Sequence, residues 1–568
     1  MGSGEALTRR SPLRLRCGLP PLSNKDELMT DRPRALRLIN GRIYRHAEDH
    51  DPADTLVTEG NVVRFVGPRA DAPTADLTID LHGAAVMPGL TDAHIHLFGL
   101  ANERLQVAFD PSAVASMQGL LDRTSSAARE TAAGGWIRGV GFDENGLAEH
   151  RYPTRDELDA AAPDRPVVIR RFCGHTAILN SAALQALKVN EGVSDPVGGS
   201  FGRDSAGRLN GIVKESAADA VFRNMPQADR AVVADALRAT IADAIRFGMT
   251  GAVEAAVGFT SGFDEEYATW ELLRADRSLL RLGFMYRLDP KDAAARKFVP
   301  LRDPDWQTQT LKFFADGIMG ARTAAVTTPF HDTGGVGFFM RDEEELEQAI
   351  VEAHLDGWQV AVHAVGDRAV SRIIGAYEKA QKAKWRQDAR HRIEHYFCPP
   401  EGGLSRMKNA GAIVVSQPSF VSVMHRSAIG AFGPAIDGKY PAKSVIDAGV
   451  PYVASSDAPT GDFSPWSGMA SAVDRGANKG RPISPAEALS HRQAVRSYIH
   501  GGAYAMGHES WRGALEPGMA ADLIAMDRDP FDSSVDFRDV KVLMTMIRGA
   551  VEHDTLGSHE SAAAGYLQ

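Results

Sequence analysis

Eight short apolar segments spaced along the middle of the chain constrain its fold more than any other feature. They are AVMPGLTDAHIH (85–96), GMTGAVEA (248–255), RLGFMYRL (281–288), TLKFFADG (310–317), QVAVHAVGD (359–367), RHRIEHYF (390–397), GAIVVSQP (411–418) and GVPYVASSDAP (449–459). Helical patterns lie between several of them. DRAVVADALRATIADAIRFG places Leu237, Ile241 and Ile245 four residues apart and ends at Gly248, a helix stop. RDEEELEQAIVEAHLDG carries acidic residues in its first turn and ends at Gly357. Apolar strands alternating with helices argue for βα units and a parallel sheet. Eight such units predict an α/β chain folded as a (β/α)8 TIM barrel over residues 88–511. The stretch from about 110 to 225 breaks the alternation and reads as a long insertion after the first barrel strand.

The two ends of the chain resemble each other more than the middle. LRLINGRIY holds Asn40-Gly41 between short runs, a hairpin signal, and NVVRFVG and ADLTIDLHG continue the strand pattern. ADLIAMDRDPFD and VKVLMTMIRGAVEH are similar runs near the other end. Segments 35–87 and 512–556 are therefore expected to pair into one small β-domain. Residues 1–30 read as a disordered N-terminal extension. Positions 1–28 are Arg-, Ser- and Pro-rich without an apolar h-region, and Met29 stands as a second start, so a targeting peptide is the lesser reading. Ala6 at the sixth position gives no support to myristoylation.

The charge balance narrows the partners. Lys and Arg number 63 against 73 Asp and Glu, a net charge of −10 with no long basic run, which speaks against nucleic acid and anionic membrane. No apolar run reaches the roughly 18 residues needed to span a bilayer. Cys17, Cys173 and Cys398 are scattered and odd in number, which suits a reducing, cytoplasmic setting and excludes a disulfide scaffold. A homodimer is left open.

Chemistry in a barrel gathers where the strands end, because those ends and the following loops share one open face. His94 and His96 lie two apart on the first strand, so their imidazoles point the same way. Lys312, His363, His395 and Asp457 stand on four further strands. Any one of these has an ordinary core or capping role as its commonest explanation. Four histidines and an aspartate aimed at one rim favour a metal site, zinc above all. A bound divalent ion lowers the pKa of its water from about 15.7 to about 7, supplying hydroxide at neutral pH. Asp457 is then placed both to touch the metal and to pass the water's proton to a leaving group. Lys312 fits only if neutral, or if carbon dioxide has converted it to a carbamate bridging two metals, since cations repel an ammonium.

The ordered set MPGLTDAHIHL, LKFFADGIMGARTAA, HAVGDRAV, RIEH and SSDAP resembles the amidohydrolase superfamily. More closely it resembles the branch of N-substituted formamide deformylase and the YtcJ-like metal-dependent hydrolases, from about residue 35 to 555. GFDENG, RPVVIRRFCGHTAILNSAAL and GIVKES in the insertion resemble that branch too. The resemblance implies a β-sandwich built from both termini around a distorted barrel. It implies two Zn2+ held by His94, His96, His363, His395 and Asp457, with carboxylated Lys312 as the bridging ligand. Lys214 in GIVKES competes for that role but sits in the insertion.

Other residues carry weaker expectations. His175 is a second catalytic candidate, able to help the leaving nitrogen, against a structural role. His425 and Arg322 are substrate-binding candidates, although loop bracing suits Arg322, and Asp316 beside it, equally well. Asp92 reads as a hydrogen-bond partner. Phe98, Trp136, Phe142, Met319 and Phe420 could line an apolar pocket, though aromatic residues more often fill cores. The function expected is hydrolysis of a C–N bond, an amide or N-substituted formamide, in a small-molecule substrate. An ester, lactone or carbamate hydrolase on the same centre is the alternative. A scaffold protein without catalysis is disfavoured by the full ligand set.

Overall fold

Eight parallel strands, in the order of the chain, form the central sheet: β1 Leu90–Ile95, β2 Met249–Val257, β3 Arg281–Tyr286, β4 Trp306–Phe314, β5 Gln359–Ala364, β6 Arg392–His395, β7 Ile413–Ser416 and β8 Tyr452–Ala454. The computed structural model describes residues 35–109, 113–132, 134–171, 176–196 and 199–557. The extension expected at 1–30 and His175 lie outside them. All eight expected strands are present, and their residues are almost all buried, since helices cover the outside and side chains fill the inside. Backbone hydrogen bonds just beyond the ends of β8 and β1 nearly close the sheet. Asp457 N donates to His94 O at 2.8 Å and His96 N to Ala458 O at 2.9 Å.

Helices α1 Leu97–Arg104, α2 Arg230–Arg246, α3 Glu343–Leu355, α4 Asp367–Ala383 and α5 His491–Met506 pack around the barrel. Their limits follow from local chemistry. Asp229 caps α2 by accepting from Ala231 N, and Asp342 caps α3 by accepting from Glu344 N and Glu345 N. Gly248 and Gly357 then adopt φ of 87° and 93°, a conformation that ends a helix and that side chains resist.

The two chain ends meet in one five-stranded sheet, ordered 42–43, 85–88, 523–526, 542–547, 550–554. It faces a four-stranded sheet of 62–67, 55–59, 35–39 and 77–80 across a shared apolar core that includes Leu38, Leu56, Leu523 and Met544. The hairpin expected at Asn40-Gly41 does not form. Ala35–Ile39 belongs to the four-stranded sheet and Arg42–Ile43 to the five-stranded one. Asn40, at φ 55°, turns the chain from one sheet to the other while its Nδ2 donates to Asp80 Oδ2 at 2.7 Å. Asn-Gly supplies a left-handed turn; it does not dictate that the flanking strands pair with each other. The segment after α1 carries a separate six-stranded sheet, from Val107–Ala108 to Leu209–Glu215, with apolar clusters of its own.

Buried charge ties the barrel floor to the terminal sheets. Arg281, the first residue of β3, grips Asp522 through Nε and Nη2 at 2.5 and 3.1 Å. Arg512 Nε reaches the same carboxylate at 3.1 Å, and Arg548 N donates to it at 2.8 Å. Burial opposes charge on Asp522, but Arg281 and Arg512 outweigh it and hold the carboxyl well below its usual range. A depressed carboxyl stabilises the fold above its unfolded pKa, and that contribution is lost only as pH falls through the lower folded value. Asp522→Ala, which strands buried cations, is expected to cost about 3–5 kcal/mol at neutral pH in urea unfolding, with the cost shrinking only in strong acid. A loss below about 1 kcal/mol would show that the network contributes no more than a surface pair.

Candidate metal centre

The registry of the strands sets which side chains meet. Phe314 on β4 aligns with His363 on β5, and Ala364 with His395 on β6, so polar residues reach the same end of the barrel. His94 and His96 arrive from β1. The backbone bonds at the β1–β8 seam carry Asp457 to them. His94 Nε2 lies 3.3 Å and His96 Nε2 3.1 Å from Asp457 Oδ1. The three ligand atoms stand within 4.8 Å of one another. Ligands about 2.0–2.2 Å from one tetrahedral ion are about 3.4 Å apart, so these spacings suit a shared divalent metal.

Neighbouring hydrogen bonds select which ring nitrogen is free. Glu394 Oε2 takes His94 Nδ1 at 2.5 Å, which leaves Nε2 toward Asp457. Gln417 Oε1 accepts from His395 Nδ1 at 2.7 Å, while Gln417 Nε2 donates to Ser455 Oγ at 3.0 Å and so fixes the amide's orientation. His363 donates Nε2–H to Gly317 O at 3.0 Å, which leaves Nδ1. The rings of His363 and His395 are 4.4 Å apart between centroids, and those of His94 and His395 5.2 Å.

Lys312 tests whether the set suits a metal pair bridged by a carbamate. Its Nζ is buried among these residues and has no hydrogen-bond partner. Burial lowers its pKa to about 8, against the pull of Glu394 and Asp457, so a neutral amine is accessible near neutral pH. A neutral amine is the form that reacts with carbon dioxide, and a carbamate would give the orphaned atom ligands. The residues present fit the group. Lys214, the competing lysine, is exposed on a strand of the insertion.

The electrostatics match this arrangement. Burial disfavours charge on Asp457, but His94 and His96 beside it hold its carboxyl well below the usual range. Burial lowers the His363 pKa to about 4, with Lys312 adding to the effect, and drives His395 down also, so both imidazoles are neutral. Neutral imidazole is the form that donates a lone pair to a metal.

Several neighbours escaped sequence reasoning. Glu394 grips His94 and is itself held by Arg392 Nε at 2.6 Å, while Arg392 Nη2 donates to Ala93 O at 2.7 Å. Glu254 on β2 accepts from Phe98 N at 3.0 Å and stands 3.8 Å from His96 Nδ1; burial raises its pKa to about 7. For Glu254 the available signal was a carboxylate inside an otherwise apolar strand; for Glu394 it was the alternation of charged residues in RIEH. Asp92 Oδ1 accepts from His94 N and Ser456 N, both at 3.1 Å, and braces the seam. Asp316 accepts from Ala325 N, Val365 N and Gly366 N and braces the loops beyond β4 and β5.

Most side chains expected to bind substrate are enclosed by packing or committed to other partners. Phe142 is fully buried in the core of the insertion, and Trp136 packs against its second cluster. Phe98 fills the barrel core, so its contribution here is its backbone N–H. Met319 and Phe420 belong to a buried cluster beside the site; Phe420 stacks on His395 at 6.4 Å, and Met319 Sδ accepts from Tyr440 Oη at 3.3 Å. These rings and thioether are enclosed by packing and offer no open pocket wall. Arg322 is spent on Asp332, Ser427 and the carbonyls of Met319 and Gly320, which makes it a loop brace. His425 donates Nε2–H to Arg481 O at 2.7 Å and lines a cavity of about 650 Å3 with Ser419, Arg426, Asp462 and Lys479.

Comparison with known proteins agrees with this centre. The model of the amidohydrolase family matches residues 77–553. YtcJ of Bacillus subtilis (strain 168) is 28% identical over 527 residues, 90% of this chain and 98% of its own. N-substituted formamide deformylase of Arthrobacter pascens is 28% identical over 563 residues, 92% of this chain and 99% of its own. The crystal structure of an uncharacterized metal-dependent hydrolase from Pyrococcus horikoshii superposes with a TM-score of 0.72 at 25% identity, covering 89% of this chain and 99% of that one. A family match across most of the chain, on a nearly closed barrel with histidines and an aspartate gathered at its strand ends, makes this chain a member of the amidohydrolase family.

Proposed function

We propose that the chain hydrolyses a C–N bond in a small-molecule amide, of the N-substituted formamide type, at a centre of two zinc ions. His94, His96, His363, His395 and Asp457 would hold the ions, with Lys312 joining them as its carbamate. The observation that carries this reading is the convergence of His94, His96 and Asp457 beside a buried lysine nitrogen without a partner. The deformylase similar along nearly the whole chain supports the choice of bond.

Bound zinc supplies Lewis acidity toward the carbonyl oxygen and a nucleophilic water near neutral pH. The chain supplies orientation and proton transfer. Glu394 and Gln417 fix the rings of His94 and His395. The Asp457 carboxylate accepts the proton released as the water oxygen joins the carbonyl carbon. It then delivers that proton to the nitrogen as the C–N bond breaks, leaving a carboxylic acid and an amine. His94 and His96 beside it keep Asp457 ionised and able to accept. The scattered cysteines support a cytoplasmic setting for this chemistry.

Three outcomes are expected. Asp457→Asn keeps most of its metal by elemental analysis but loses about 10²–10⁴-fold in kcat, the range for removing a proton-transfer group; turnover within about tenfold of the parent would remove Asp457 from that role. Lys312→Ala drops metal content, with partial recovery from added short carboxylic acids, and unchanged occupancy would contradict the bridge. Across formamides, acyl-amides, carbamates and esters, the zinc-loaded protein cleaves amides and formamides and a chelator stops it. Cleavage of esters alone would overturn the choice of bond.

A further inference from the structure

Beside the metal ligands the barrel mouth carries an aromatic strip that nothing in the catalytic scheme uses. Phe259, just past β2, is 53% exposed although it is a large apolar residue. Its ring stacks on His96 at 5.4 Å and 29° and on Phe314, the last residue of β4, at 5.7 Å and 15°. Phe314 in turn lies 5.5 Å from the ring of His363. The two phenyl rings therefore extend the histidine cluster outward as one apolar surface.

At the far side of this surface stands Arg287, which follows β3. Its guanidinium carbon sits 5.7 Å from the Phe259 ring centroid and 5.6 Å from that of Phe314, and Nη1 donates to Gly258 O at 3.3 Å. Among the described residues no carboxylate forms an ion pair with it. By contrast, Arg296 pairs with Asp264, Arg322 with Asp332 and Arg341 with Asp289. Two rings hold the Arg287 plane in place while most of its N–H fork stays free, and such a fork matches a carboxylate in two parallel hydrogen bonds.

We propose that Phe259, Phe314 and Arg287 form the recognition subsite for an amide that carries a planar apolar group ending in a carboxylate. The reacting carbonyl lies at His94, His96 and Asp457, the planar group lies on the two phenyl faces, and the carboxylate meets Arg287. The subsite rests on the hydrolase reading for the position of the carbonyl. Charge complementarity selects the anion, because a free, preorganised guanidinium favours it and a cationic group would be repelled. A flat aryl group is selected because it can pair with the half-exposed Phe259 ring.

The test uses the zinc-loaded full chain titrated calorimetrically with two probes, phenylacetohydroxamate and 4-carboxyphenylacetohydroxamate, and with acetohydroxamate as the small reference. The carboxylated probe is expected to bind about 10-fold or more tighter than phenylacetohydroxamate, the gain of one charge-assisted bidentate pair. In Arg287→Met that ratio is expected to fall to about 1, and in Phe259→Ala both aryl probes are expected to lose about 10-fold relative to acetohydroxamate. Ratios within one protein preparation are insensitive to partial misfolding. Equal affinity of the two aryl probes for the parent protein, a ratio that persists in Arg287→Met, or binding of neither aryl probe overturns the subsite. The matching substrates, N-methyl-2-phenylacetamide and its 4-carboxy derivative, carry the ring on the same side of the carbonyl as the probes and separate the two readings. If the probes keep their ratio while neither amide is cleaved, the subsite stands and the C–N reading falls. If both amides are cleaved and the carboxylate brings no advantage in binding, the subsite falls and the reaction stands.

Discussion

Two backbone hydrogen bonds, Asp457 N to His94 O and His96 N to Ala458 O, join the last strand of the barrel to the first. The candidate centre depends on them. They bring residues more than three hundred positions apart to within 3.1–3.3 Å, and they do so through main chain, whose geometry varies little with side-chain motion. Asp92 reinforces the seam by accepting from both of its sides. The remaining strands then need only ordinary parallel registry to deliver Lys312, His363 and His395 to the same end.

The barrel interior at that end is a polar island in an apolar core, and this explains much of the local architecture. Each buried charge costs several kcal/mol unless it is paired and hydrogen-bonded. Arg392 and Glu394 satisfy each other, and Glu394 uses its remaining oxygen to orient His94. Gln417, Ser455 and Ser416 O form a chain that ends on His395. Lys312 Nζ is left without a hydrogen-bond partner, an imbalance that a carbamate holding two ions would remove. The far end of the barrel follows the same rule with different residues, as Asp522 and Asp305 hold Arg281, Arg512 and Arg548.

Much of this was legible in the sequence because it rests on periodicity. The eight strands are short apolar runs between helical stretches, and a polar residue closing such a run stands out. What was not legible depends on tertiary pairing. Asn40-Gly41 announces a turn but not that its flanks join different sheets. Phe142 and Phe98 have the composition of pocket residues and the burial of core residues, and only the packed structure separates the two. Glu254 sits among apolar strand neighbours and Glu394 between Ile393 and the ligand candidate His395, and neither pattern tells that His96 and His94 are the residues they reach. Phe259 lies in a loop with no periodic pattern, so its place beside His96 follows from the fold alone.

The central claim is that the barrel mouth holds a metal pair on these six side chains. Anomalous diffraction from crystals of the zinc-loaded chain, collected on both sides of the zinc edge, tests it most directly. The account predicts two anomalous peaks, one of them about 2.0–2.2 Å from His94 Nε2, His96 Nε2 and an Asp457 oxygen, with density for a carbamate on Lys312 Nζ between them. Zinc bound elsewhere on the chain, or a site that leaves His94 and His96 uncoordinated, would contradict it.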